Sequence, residues 1–371
     1  MIETITVGAG ELAAAVKYVA RLVPAKPKIP EHGGVLGLVD SDGLHLHGYG
    51  EDASGRATVP LDGIGQMLPF LVSGRLLNDV AQLLGTKDVR LERDDSTLTV
   101  RAGSYRATMP LMSDSDYPKL PDAAPLAALV DGDAFADAIR RVAVAAGRDV
   151  TLGAHWMGVH FEWSHDELIL AACDRYRVAR QVISWKPITQ PPTIMVPAAV
   201  LVDAVAGFEG DEIKIGADEH AFSMSNATRS LTVPLFDFSQ FPAAQIGPMV
   251  DMPRDSSVTF SVKAAQMPLK RVELLRNAAT NAVVLNIRPG VIEFSASAGD
   301  NAESGDDEIA AEYDGDEASV ILDSKRLHDA LATCPGDDVT LSFVTGAPKP
   351  VLFSSLANPA WQHVVVPLRN V

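Results

Sequence analysis

The chain has 371 residues, 47% of them hydrophobic and 21% charged, enough to bury cores in two or three domains and too apolar for a disordered chain. Its formal net charge of −17 excludes a simple basic-coated nucleic-acid binder, because the surface as a whole repels polyanions. Cys173 and Cys334 are too few for a disulfide framework or a zinc site, no apolar run approaches the roughly 18 residues of a membrane helix, and Met1-Ile2-Glu3-Thr4 lacks the regions of a signal peptide; a cytoplasmic protein with no membrane partner is expected.

In chain order, Gly8-Ala9-Gly10 lacks the third glycine and the lysine of a phosphate loop and reads as the lead-in to a helix with an apolar face of Leu12, Val16 and Val19. Residues 12–28, from that helix into its exit, carry Lys17, Arg21, Lys26 and Lys28 without an acid. His45-Leu46-His47 puts two imidazoles on one strand face with no third ligand evident, which reads as a solvated face and not a metal site. Leu77-Asn78-Asp79-Val80 lies in a second helix, and Val89-Arg90-Leu91-Glu92 and Thr97-Leu98-Thr99-Val100-Arg101 alternate with period two, as strands do. Met109-Pro110-Leu111 follows, and Tyr117-Pro118-Lys119-Leu120-Pro121 reads as a linker.

The same series then returns twice. The second copy has Phe135, Ile139 and Val142 with Arg140, Arg141 and, just beyond, Arg148; then Leu201-Val202-Asp203-Ala204 led by Pro197, Glu212-Ile213-Lys214-Ile215, Val233-Pro234-Leu235, and a linker from Phe241-Pro242 to Gly247-Pro248. The third has Ala265, Leu269 and Val272 with Lys263, Lys270, Arg271 and Arg276; then Leu327-His328-Asp329-Ala330 with Asp323 or Ser324 as the N-cap, Val339 to Phe343, and Val366-Pro367-Leu368. Three landmarks in one order at nearly one spacing argue for three copies of a unit of about 125 residues, a normal domain size. The expected boundaries are 1–121, 122–248 and 249–371, each an α+β unit of antiparallel sheet with two helices on one face. Ser164-His165-Asp166 is contiguous and reads as a turn rather than a triad. The acidic run from Asp300 to Asp316, with Asp306-Asp307-Glu308, reads as a solvated strand and loop; an acidic metal-dependent hydrolase built on it is a distant alternative, and no nucleophile–base pair is evident.

Charge is distributed unevenly. The three units carry −3, −7 and −7, yet residues 12–28, 134–148 and 263–276, at the first helix of each, carry +4, +2 and +3. An acidic body that repeats its cations at equivalent places can aim them at one shared polyanion while the rest of the surface rejects nonspecific contact.

Cys173-Asp174-Arg175-Tyr176-Arg177-Val178-Ala179 and Val364-Val365-Val366-Pro367-Leu368-Arg369, together with the threefold repeat, Ala145-Ala146-Gly147-Arg148-Asp149 and Asp116-Tyr117-Pro118-Lys119-Leu120-Pro121, resemble the bacterial β sliding clamps. The resemblance covers the whole chain. It implies a DNA-clamp fold closing head to tail into a dimeric ring, a non-catalytic processivity factor that needs no cofactor and slides on double-stranded DNA without reading sequence. It places Lys26 and Arg148 near DNA-contacting loops. It also implies a groove that captures short apolar peptides from DNA polymerase, the clamp loader and repair proteins. Carried over by position, this groove involves Trp156, Cys173, Arg175, Tyr176, Arg177, Val178, Pro242, Ile246, Val364, Val366, Pro367 and Leu368. At the dimer interface it implies Leu274 and Leu275 from one protomer against the strand of Ala107 and Met109 from the other, with Arg101 and Arg106 facing Glu303, Asp306 and Glu308. Trp156 stands where the family more often has Leu; an indole there either narrows the pocket or stacks on the ligand. A specialised clamp, phage-encoded or a second copy tolerant of a groove-directed inhibitor, is the alternative within the family.

Overall fold

The computed structural model describes residues 2–63, 65–85, 88–149, 151, 153–235, 237–299 and 303–369, and seven α-helices lie among them. Asp300, the start of the acidic run, lies outside the described residues. The three repeated ladders fall on α1 (Ala9–Ala20), α3 (Gly132–Ala143) and α6 (Val262–Glu273), and every ladder residue is buried. The Leu-x-Asp segments fall on α2 (Gly74–Ala81), α4 (Ala198–Val205) and α7 (Ser324–Ala332). Gly8 is the N-cap of α1, Ser73 caps α2, and Asp323 caps α7 by accepting from the Arg326 amide at 3.0 Å.

The chain forms two compact units that do not follow the repeat boundaries. The first holds residues 1–136, 185–196 and 200–235. One of its sheets runs Glu3–Val7, Val89–Arg93, Thr97–Ala102, Tyr105–Pro110, all antiparallel. Its other sheet continues from the second repeat into the first, where Arg229–Pro234 pairs antiparallel with Ser54–Val59. Tyr18 of α1 seals that seam: its hydroxyl donates to the Ser230 carbonyl at 3.1 Å, its ring meets Phe208 edge-on, and Arg229 lies over it. Close approach requires small residues, since a Cβ at Gly48 would lie 2.4 Å from the Val19 carbonyl and one at Gly55 2.5 Å from that of Ser230.

The second unit holds residues 137–184, 197–199 and 236–371. Its sheet passes from the second repeat to the third through Arg177–Ser184 paired with Trp361–Val365, then Val351–Ser354, Asp338–Phe343 and Ser256–Ser261. Beyond these lie Ser304–Glu312, Val291–Ser297, Ala282–Arg288 and Ala318–Asp323. Within the acidic run Ser304–Glu312 is a strand of alternating exposure, and among the described residues no cluster of metal-ligating side chains is found. His165 and Asp166 form the turn between Gly158–Ser164 and Glu167–Cys173.

Two readings of the sequence are corrected. The segment from Pro242 to Pro248 is no simple linker: α5 (Ala243–Val250) runs through it with Pro248 inside, burying Ile246 and Val250. The face of His45 and His47 is not solvated. His45 is 8% exposed, with Nε2 2.8 Å from Asp40 and Nδ1 2.9 Å from Thr58, while burial pushes His47 down to about 4. No described helix is long and apolar enough to cross a membrane.

Candidate peptide groove and cation-bearing helices

The second unit contains every residue expected in the peptide groove, and strand register links several of them directly. Cys173 pairs with Val178 and Val178 with Val364, which places these three on one sheet face. All three are buried, and burial pushes the Cys173 thiol up to about 12, which disfavours the reactive thiolate. α5, carrying Ile246, packs against Trp361–Val365. Its approach is fixed by Phe241, which stacks on buried His160 with ring centroids 4.8 Å apart just before Pro242.

Arg177 points the other way. Alternation puts it opposite Val178, where it is 5% exposed and donates to Asp174 at 2.9 Å and to Asp329 of α7 at 2.6 Å. Burial raises the Asp329 carboxyl, but hydrogen bonds from Arg177 and Lys325 outweigh it and hold the group below its ordinary range. Arg177 is thus a buried ion-paired fastener between strand and α7 rather than a groove wall. Tyr176 remains half-exposed, with Arg326 over its ring at 4.3 Å and its carbonyl accepting from the Val366 amide at 2.8 Å. Pro367 and Leu368 line a cavity of about 480 Å³ together with Ser319, Val344 and Ala347. Arg326 is a residue that the sequence did not flag; it is partly buried on α7 with Nη1 3.6 Å from Asp323, and a cation two residues into a helix is no distinctive signal.

Trp156 ends a short 3-10 turn, Ala154–Trp156, and is partly buried. Its carbonyl accepts from the Gly147 amide at 2.6 Å, His155 lies 4.9 Å from its ring, and the Arg175 guanidinium lies 6.0 Å away. Arg175 itself has a left-handed backbone, φ 75°, in a turn closed by Asp174 accepting from the Tyr176 amide. A non-glycine residue held there costs on the order of 1 kcal/mol and marks a locally over-determined turn.

The cations of the first helices separate into two groups. Lys17, Lys26, Lys28, Arg148, Lys263 and Lys270 are exposed, and none has an ion pair among the described residues. Arg21 is exposed and reaches the Asp203 carbonyl at 3.4 Å. Others are engaged locally: Arg140 and Arg141 with Asp137, and Arg271 with Asp307 at 2.7 Å. Arg276 turns back to cap its own helix, donating to the Glu273 carbonyl and to Asn281, so the expectation that it faces a ligand does not fit its geometry.

At the expected dimer contacts, Leu274 is 83% exposed at the C-cap of α6, and Leu275 packs on Gly305, where a Cβ would lie 2.6 Å from its Cδ1. Ala107 is partly buried, but Met109 is 1% exposed, paired with Leu98 and facing the core; its side chain is therefore not an interface contact. Arg101 is tied to Glu92 at 2.8 Å and Glu308 to Arg288 at 3.2 Å, leaving exposed Arg106 as the cation of that strand without a described ion pair.

Comparison with known proteins decides the family. Residues 4–121 match the N-terminal domain of the DNA polymerase III beta subunit, 129–243 its central domain, and 252–369 its C-terminal domain. The chain belongs to the DNA polymerase III beta subunit family, the beta sliding clamps. It is 32% identical to the beta sliding clamp of Streptomyces coelicolor, covering 96% of this chain and 97% of that one. It is 26% identical to the beta sliding clamp homolog GriR of Streptomyces muensis, with the same coverage. Its fold matches a crystal structure of the Pseudomonas aeruginosa DnaN sliding clamp bound to griselimycin with a TM-score of 0.90, at 20% identity, over 99% of this chain and 100% of that one.

Proposed function

We propose that two copies of this beta clamp close head to tail into a ring that encircles double-stranded DNA and tethers its polymerase, the repeats 1–121, 122–248 and 249–371 serving as the ring's domains. The observation that carries this reading is the return, in an otherwise acidic chain, of exposed cations without an ion pair among the described residues: Lys17 on α1, Arg148 just beyond α3, and Lys263 and Lys270 on α6. Such cations hold phosphates diffusely, and diffuse contact permits sliding because no base edge is read. The chain acts without catalysis or cofactor; enclosure does the work. Loading the protein onto circular duplex DNA and then linearising it tests this. Retention on the circle and loss from the linear form is expected, and equal retention on both would sink the ring.

The groove supplies the tether. Val178, Val364 and Ile246 supply apolar wall, Tyr176 and Arg175 supply polar edges, and Pro367 and Leu368 extend it, a composition suited to a short peptide with Leu or Phe anchors from DNA polymerase, the clamp loader or a repair protein. A specialised copy tolerant of a groove-directed inhibitor is the second reading; it requires the Trp156 indole to narrow the space an inhibitor would fill.

A further inference from the structure

Arg254 lies just past the boundary between the second and third repeats and makes four hydrogen bonds, all to backbone carbonyls. Its Nη2 donates to Met249 at 3.1 Å and its Nη1 to Val250 and Met252, both at 2.9 Å; its Nε donates to Pro350 at 3.2 Å. Met249 and Val250 are the last residues of α5, whose final carbonyls have no intrahelical partner. Pro350 lies on the connection between strands Asp338–Phe343 and Val351–Ser354. The planar guanidinium thus joins the end of α5 to that connection with one rigid fork.

The base of the fork is itself fixed. Asp255 accepts from the Thr345 amide at 2.9 Å and from its hydroxyl at 3.2 Å, and Ser256 and Thr345 hydroxyls lie 2.7 Å apart. Hence the same connection is held twice, once by Asp255 and once by Arg254. α5 needs such an anchor. It has eight residues, Pro248 removes one of its internal hydrogen bonds, and isolated helices of this length are unstable in water. A cavity of about 430 Å³ lies beside Arg254, lined by Val250, Leu352 and Gln362.

We infer that Arg254 is a positioning residue of the peptide groove: by capping α5 it fixes Pro242 and Ile246 against the strand that carries Val364. This rests on the groove reading above. Loss of the fork releases α5 into states in which Ile246 leaves the wall, and the apparent affinity for peptide falls by the fraction still docked.

The test uses the full-length protein, a fluorescent peptide with Leu and Phe anchors, and amide hydrogen exchange over residues 243–251. In Arg254→Met, exchange in α5 should accelerate while the sheets keep their protection, and peptide affinity should fall about fivefold if docking drops to about one-fifth. Arg254→Lys, which keeps the charge but not the fork, should fall between wild type and Met in both readouts. If Arg254→Met does not fold, Arg254→Lys alone decides. Unchanged α5 exchange overturns the anchor, and faster exchange with unchanged affinity overturns its role in binding. Failure of the wild type to bind the peptide overturns the groove reading itself and with it the role in binding, while exchange still reports on the anchor.

Discussion

Trp156 is held by its neighbours and does not stand free over the groove: Gly147 binds its backbone, His155 lies beside its ring, and the Arg175 guanidinium approaches its face. The hydrogen bond fixes the Trp156 backbone, while His155 and Arg175 flank the ring. Trp156→Leu should open the pocket and strengthen binding of an anchor peptide by about 1 kcal/mol, roughly fivefold, with a competing groove inhibitor gaining likewise. Weaker binding would mean that the indole stacks on the ligand, and unchanged affinity in a fluorescence titration would remove Trp156 from the site. His363 supplies a second residue-level effect. It is fully buried, neither ring nitrogen has a partner among the described residues, and burial, aided by Arg177 and opposed by Asp329, pushes it down to about 3. An unfolded imidazole takes up its proton near pH 6.5, so the folded state loses stability as pH falls from there toward 3, by about 1.4 kcal/mol per pH unit. Asp329, held low by Arg177 and Lys325, adds to the loss at more acid pH, once its carboxyl begins to protonate. His363→Leu should remove one proton's worth of slope from a plot of denaturation free energy against pH between 6 and 4, and an unaltered slope would show that another group controls it.

At the scale of elements, α5 shows where sequence reasoning stops. The six paired helices are legible because each has an apolar ladder or a cap, and the strands Thr97–Ala102 and Asp338–Phe343 because they alternate. α5 has Pro242 before it and Pro248 within it, local chemistry that spells a turn; burial of Ile246 and Val250 and the fork of Arg254 override that propensity. The partners of His45 were equally hidden, because Asp40 and Thr58 reach it from the strands on either side. Met109 could have been placed from parity, since Leu98, Val100 and Met109 share the inward face of one hairpin. Edge strands carry the proposed dimer. Tyr105–Pro110 is the last strand of its four-stranded sheet, and Ser304–Glu312 pairs with Ser256–Ser261 only at Ala311 and Glu312 among the described pairings. Two such open edges can join across protomers, sealed by Leu274 and Leu275. Rim charges such as Arg106 add roughly 0–1 kcal/mol each, whereas Leu→Ala at a closed apolar contact costs about 2–5 kcal/mol, so the leucines should dominate. Leu274→Ala with Leu275→Ala should shift sedimentation toward monomer without loss of folded structure; an intact dimer would mean that the interface lies elsewhere.

For the molecule as a whole, net charge and local charge act on different steps. A chain of −17 gains little from nonspecific encounter with DNA, so the proposed enclosure relies on cations that have no ion pair among the described residues. Lys17, Lys263 and Lys270 meet that condition, whereas Arg271 already has Asp307 and Arg276 already has its own helix end. Reversing Lys17, Lys263 and Lys270 to Glu should reduce the salt dependence of association with duplex DNA by about 0.9 in log–log slope for each phosphate that is no longer neutralised. The helices should remain folded, since all three side chains are exposed. Arg276→Gln should leave that slope unchanged while loosening the end of α6. Topology predicts a second behaviour that charge does not: once loaded on a closed circle, the triple variant should stay bound at low salt yet slide off a linearised molecule faster than wild type. If the variant is lost from circle and line at the same rate, affinity and not enclosure retains the protein; if its salt slope equals that of wild type, the phosphates are held by residues other than these lysines.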